Sequence, residues 1–67
     1  MTEYSNSRMA YLIDEYIHKD RDRLIMKLHY IDGWTAEEIA QHEKVDLSPR
    51  WVYNILSKRL AEIAKHL

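Results

Sequence analysis

Apolar residues recur every three or four positions along this chain, the spacing of one helix face after another. Met9, Leu12, Ile13, Tyr16 and Ile17 make the first stripe, behind a frayed segment 1–6. It predicts a helix capped by Asn6 or Ser7 and running to about His18. Lys19-Asp20 is the junction to a second helix, with Asp20 as its cap and Asp22 in its first turn, where the helix dipole favours negative charge. Leu24, Ile25, Leu28 and Ile31 form its apolar face, and Gly33 ends it by taking the left-handed conformation without a Cβ penalty. Thr35-Ala-Glu-Glu38 matches a capping box, in which the threonine hydroxyl and the glutamate each satisfy the other's amide. A short third helix follows with Ala36, Ile39 and Ala40 facing in; the small Ala40 suits a close crossing. Residues 43–47 carry a turn anchored by Val45 and Leu47. Ser48-Pro49 then starts a fourth helix, serine as N-cap and proline at the first helical position, where its missing N–H costs nothing. Its stripe is Val52, Ile55, Leu56, Leu60, Ile63 and Leu67. The pattern predicts an all-α fold: a small four-helix domain spanning residues 1–67, with a helix-turn-helix at 35–59.

Composition supports the helices and limits what they can do. A 67-residue chain is one domain, and it buries only about 60% of its unfolded surface. It has no cysteine, so close helix packing or dimerisation must supply the stability that disulfides give other small proteins. No stretch approaches the roughly 18 apolar residues of a membrane span, and the N-terminus lacks the basic start and apolar core of a signal peptide. The expectation is a cytoplasmic protein with no membrane partner. A net charge of −1 counts against a simple nucleic-acid binder. The charge is uneven, however. Residues 1–47 hold six Lys/Arg and ten Asp/Glu, a sum of −4, whereas residues 48–67 hold Arg50, Lys58, Arg59 and Lys65 against Glu62, a sum of +3. The basic surplus lies on the fourth helix, and local field decides where a phosphate backbone docks.

The pieces Arg21 to Lys27, Tyr30-Ile-Asp-Gly-Trp34, Thr35-Ala-Glu-Glu-Ile-Ala40, Leu47-Ser-Pro-Arg50 and Val52-Tyr-Asn-Ile55, in this order, carry a resemblance. The stretch Arg23 to Leu60, a little over half of the chain, is similar to the promoter-reading last domain of bacterial sigma factors. More closely, it resembles the small sigma-like helix-turn-helix proteins of phages and prophages of Gram-positive bacteria. The resemblance implies DNA binding in transcription regulation, with the fourth helix in the major groove of double-stranded DNA. Carried over by position, the contacts are Ser48, Pro49, Arg50, Tyr53, Asn54, Ser57 and Lys58. The chemistry suits: Arg50 can pair with guanine and Asn54 with adenine in bidentate fashion. Ser48, Tyr53, Ser57 and Lys58 can hold phosphates, and Thr35 with the start of the third helix can offer amides to another. Two features depart from the family pattern. The segment from Thr35 to Ser48 is longer by Glu43-Lys44, which the third helix or the turn must absorb, and Trp51 and Tyr53 stand where the family often has small or basic residues.

Other features have plainer readings. Trp51 either packs partly buried against the first helix or the turn, or makes a protein contact. Tyr11 lies off the first stripe, so it is expected to be exposed, and with Trp51 it would make a dimer surface. Trp34 is expected to fill the core between helices two and three; Tyr4, Tyr16 and Tyr30 are packing residues with a wet hydroxyl. His18, His29, His42 and His66 include no pair four apart on a helix, and no cysteine joins them, so no metal and no cofactor is expected. No glycine-rich phosphate loop, cysteine nucleophile or large pocket suggests an enzyme or a small-molecule substrate. Glu37, Glu38, Glu43 and Asp46 read as a solvated face. The alternative function is a protein-interaction module on the same fold, without DNA binding, that binds RNA polymerase, a sigma factor or itself as a homodimer. A third reading is the DNA-recognition part of a phage packaging subunit.

Overall fold

In the computed structural model, which describes residues 6–66, four helices follow in order: α1 (Asn6–Tyr16), α2 (Asp20–Tyr30), α3 (Ala36–Ala40) and α4 (Pro49–Ala64). No strand occurs among the described residues, so the fold is all-α as the periodicity predicts. The expectations for segment 1–5, Tyr4 and Leu67 lie outside the described residues. No described helix is long and apolar enough to cross a membrane.

The first two helices are closed differently from expectation. α1 ends at Tyr16 rather than near His18. Its last turn contains no basic residue, and the cation that serves its free carbonyls comes from the neighbouring helix. Arg23 donates Nε to the Ile17 carbonyl and Nη2 to the Asp14 carbonyl at 2.7 Å. α2 is entered through Lys19, whose backbone is extended and whose side chain makes no capping bond. Asp20 is therefore the first helical residue and not the cap; like Asp22 it puts negative charge in the first turn, where the helix dipole favours it. Across the two helices, Lys27 pairs with Asp14 at 2.8 Å. The Asp14 carboxyl is held below its ordinary pKa, chiefly by that hydrogen bond and further by the charges of Lys27 and Arg23.

Leu12, Ile13 and Ile17 meet Ile25, Met26 and Leu28 in the core, joined by Ala36 and Ile39 of α3, Val45 of the turn, and Val52, Leu56 and Ile63 of α4. α2 packs against all three other helices. A helix with neighbours on several sides needs more than one apolar stripe. That is why Met26 is fully buried although it lies off the predicted face, while Leu24 and Ile31 are only half-buried at its edges. Trp34, Tyr16 and Tyr30 pack half-buried against the same core, and burial pushes the Tyr30 hydroxyl pKa up.

Gly33 has φ +79°, which lets the Trp34 amide turn back onto the Leu28 carbonyl at 2.9 Å. A Cβ built on Gly33 would meet nothing within 4 Å. Gly33→Ala should therefore cost only the left-handed backbone term, about 1–2 kcal/mol, with no steric addition. Gly33→Asn should cost less than Gly33→Ala in a urea melt, because asparagine tolerates this region. Equal losses in the two variants would mean that packing, not φ, sets the cost.

α3 has five residues, and its capping box is complete: Thr35 N donates to Glu38 Oε1 at 2.9 Å, and Glu38 N donates to Thr35 Oγ1 at 3.2 Å. Glu43 and Lys44 lie in the turn that follows α3 and not in the helix. The amides of Val45 and Asp46 both bond the His42 carbonyl at 3.0 Å, and Lys44 N donates to His42 Nδ1 at 3.1 Å. Asp46 closes the turn at φ +49°, a region that aspartate enters more readily than most residues. Val45 is buried as an anchor of the turn should be, whereas Leu47 is half-buried against the core.

Candidate nucleic-acid interface

Ser48 and Pro49 fix the start of α4 as predicted. Ser48 Oγ accepts the Trp51 amide at 3.4 Å, and Pro49 occupies the first turn. Val52, Leu56 and Ile63 face the core, so at about 100° per residue the opposite side of the helix is set by arithmetic. Arg50 and Asn54 lie on that outer side, with Ser57 and Lys58 flanking them, and all four are exposed. The fold thus brings together four of the side chains singled out in the sequence on one rigid, capped helix face.

Two others are engaged elsewhere. Tyr53 is exposed but leans toward α3, where its hydroxyl donates to Glu37 Oε2 at 3.5 Å. A carboxylate beside that hydroxyl works against the phosphate contact expected of Tyr53. Thr35 has its amide and its hydroxyl both taken by Glu38, and two carboxylates, Glu37 and Glu38, stand in the first turn of α3. The groups that the expected phosphate contact at Thr35 would use are thus engaged in the capping box, beside two negative charges that work against a phosphate.

The charge of α4 needs correcting as well. Arg59 does not contribute to the basic surplus, because it is tied inward. Its Nε and Nη2 donate to Asp22 Oδ2 at 2.9 and 2.7 Å, and its Nη1 donates to both Glu62 oxygens at 3.0 and 2.9 Å. Asp22 is only 4% exposed, and its Oδ1 is buried without a hydrogen-bond partner among the described residues. The sequence reading missed this pair, yet the signal is present. Arg59 sits on the core stripe Val52–Leu56–Arg59–Ile63, and Asp22 precedes Ile25 and Met26 at helical spacing, so each of two apolar faces carries one charge of opposite sign.

Trp51 is 60% exposed and lines one groove with Leu47 of the turn. The groove, of about 400 Å³, lies between the start of α2 and α4. Leu47 and Ile55 form the apolar part of the lining, Lys19, Arg21 and Lys58 the cationic part, and Asn54 is shared with the outer face of α4. Lys19 and Arg21 belong to the acidic N-terminal part of the sequence, where a running sum of charge hides them. Tyr11, exposed as expected, is on α1 and does not line this groove.

Three of the four histidines pack with aromatic groups. His66 stacks on Tyr16 with ring centroids 3.6 Å apart, His29 meets Tyr30 edge-on, and His42 lies 5.8 Å from Trp34. His29 Nδ1 is also 2.8 Å from the Trp34 carbonyl. Among the described residues no three His, Asp or Glu side chains are grouped so as to hold a metal ion. No protein-family model, no curated protein and no solved structure matches the chain.

Proposed function

We propose that the chain is a DNA-binding transcription regulator whose α3, turn and α4 act as a helix-turn-helix, with the N-terminal half of α4 in the major groove. The observation that carries this reading is the exposed face of α4: Arg50, Asn54, Ser57 and Lys58 on one side of a helix whose other side is locked into the core. Arg50 and Asn54 are the base readers, through bidentate bonds to guanine and adenine edges. Ser57 and Lys58 hold phosphates, with Ser48 and Pro49 at the helix start where the backbone passes. One module of this size covers roughly 600–1,000 Å² of protein surface on DNA, so useful affinity calls for a homodimer or a second protein such as RNA polymerase.

The test is a fluorescence-anisotropy titration of the folded chain against duplex DNA at two salt concentrations. Binding should weaken steeply with salt, and Lys58→Ala should weaken it on every sequence and lower the salt slope by about one. Arg50→Ala should flatten base preference in selection from a random duplex library, at a cost of about 1–3 kcal/mol on the preferred site. A folded sample that ignores duplex DNA at low salt would sink the reading. The exposure of Trp51 favours a second reading, a protein-interaction module without DNA affinity. In that case Arg50→Ala and Lys58→Ala are silent, and Trp51→Ala abolishes a complex.

A further inference from the structure

We infer that the groove between the start of α2 and α4 seats one sugar–phosphate strand of the bound duplex, with Lys19, Arg21 and Lys58 on its phosphates and Trp51 against its sugar edge. The inference rests on the duplex-binding reading above and extends its contact surface to a helix that the motif does not include. Three observations carry it. First, the groove's cations are uncompensated. Its carboxylate, Asp22, is consumed by Arg59, and Lys19, Arg21 and Lys58 form no ion pair among the described residues. Second, the lining is mixed. Leu47, Ile55 and the exposed Trp51 offer apolar contact between the cations, which suits a strand whose charged phosphates alternate with apolar sugar faces. Third, the groove is continuous with the outer face of α4. Asn54 and Lys58 belong to both, so a duplex read by Arg50 and Asn54 brings a flanking strand to this edge.

Backbone docking of this kind is independent of sequence and appears in the salt dependence, at about 0.9 in slope for each phosphate neutralised. The experiment is anisotropy of the full chain against a random-sequence duplex at several salt concentrations, with Lys19→Ala/Arg21→Ala, Lys58→Ala and Lys65→Ala as variants. Lys65 is exposed at the far end of α4, away from the groove. Circular dichroism melts accompany each variant, and Lys19→Gln/Arg21→Gln replaces the alanine pair if that pair melts early. The expected result is a salt slope lower by about two in the double variant and by about one in Lys58→Ala, with Lys65→Ala unchanged. Trp emission should shift on binding, and Trp51→Phe should remove the shift while retaining the fold. If the wild type binds and Lys58→Ala weakens it, but the Lys19/Arg21 pair is silent, the groove inference is overturned and the duplex reading stands. If the wild type does not bind duplex DNA, both fall. If a polyglutamate peptide shifts Trp51 emission and duplex DNA does not, the groove belongs to an acidic protein, and the inference is again overturned.

Discussion

Arg59→Met is expected to destabilise the fold by about 3 kcal/mol, and Asp22→Ala by clearly less. The two partners of this ion pair are not equivalent. Asp22 is nearly inaccessible; among the described residues one of its oxygens lacks a partner, and the other is held by Arg59 alone. Removing Arg59 strands a buried carboxylate, the costly way to break such a pair. Removing Asp22 leaves Arg59 with Glu62 and with a side chain 20% open to solvent. The Arg59 pKa is raised, first by the hydrogen bond to Asp22, so its share of the stabilisation is fully present below its ordinary pKa and is lost only in strong alkali. At neutral pH the contribution of Arg59 is therefore fully present. Urea melts of both single variants and of Asp22→Leu/Arg59→Met measure the coupling, and the double variant should recover most of the loss. A domain of this size rarely holds more than about 3–5 kcal/mol, so Arg59→Met should retain at most about 2 kcal/mol of stability. A loss for Asp22→Ala equal to or larger than that for Arg59→Met would refute the asymmetry.

The parts of the fold legible in the sequence are those governed by local chemistry. Ser48-Pro49, the Thr35/Glu38 box and Gly33 act through backbone groups a few residues away, and all three stand where the spacing puts them. The outer face of α4 was legible for the same reason: once Val52, Leu56 and Ile63 face in, Arg50 and Asn54 must face out. Features that depend on a neighbouring helix were not. The carbonyls at the end of α1 are served by Arg23 reaching back from α2, and the burial of Met26 follows from α2 having neighbours on several sides. Charge sums misled in both directions. They credited Arg59 to the surface of α4, and they hid Lys19 and Arg21 inside a segment whose sum is −4. Which charges meet is a long-range property, and helical spacing fixes only the face from which each one starts.

The second large effect is expected at Ile39. α3 is five residues long, too short to persist by helix propensity, and its buried side chains are Ala36 and Ile39. Alanine has little to bury, so Ile39, fully inaccessible, supplies nearly all the apolar contact by which α3 packs on α2 and α4. Ile39→Ala should cost about 2–5 kcal/mol and Ile39→Val about 0.5–1.5 kcal/mol. Ile63→Ala removes an equally buried isoleucine near the far end of α4 and should fall in the same range as Ile39→Ala. The two alanine variants should differ in where they loosen. In Ile39→Ala the amide of Ile39, bonded to the Thr35 carbonyl, should exchange at the rate of an opened segment while α4 amides keep the global rate. In Ile63→Ala it should remain as protected, relative to global unfolding, as in the parent chain. If Ile39→Ala cost under about 1 kcal/mol, the capping box and turn would be holding α3 without its one large side chain. The angle at which α4 presents Arg50 and Asn54 would then be set by the chain at 41–47 rather than by packing.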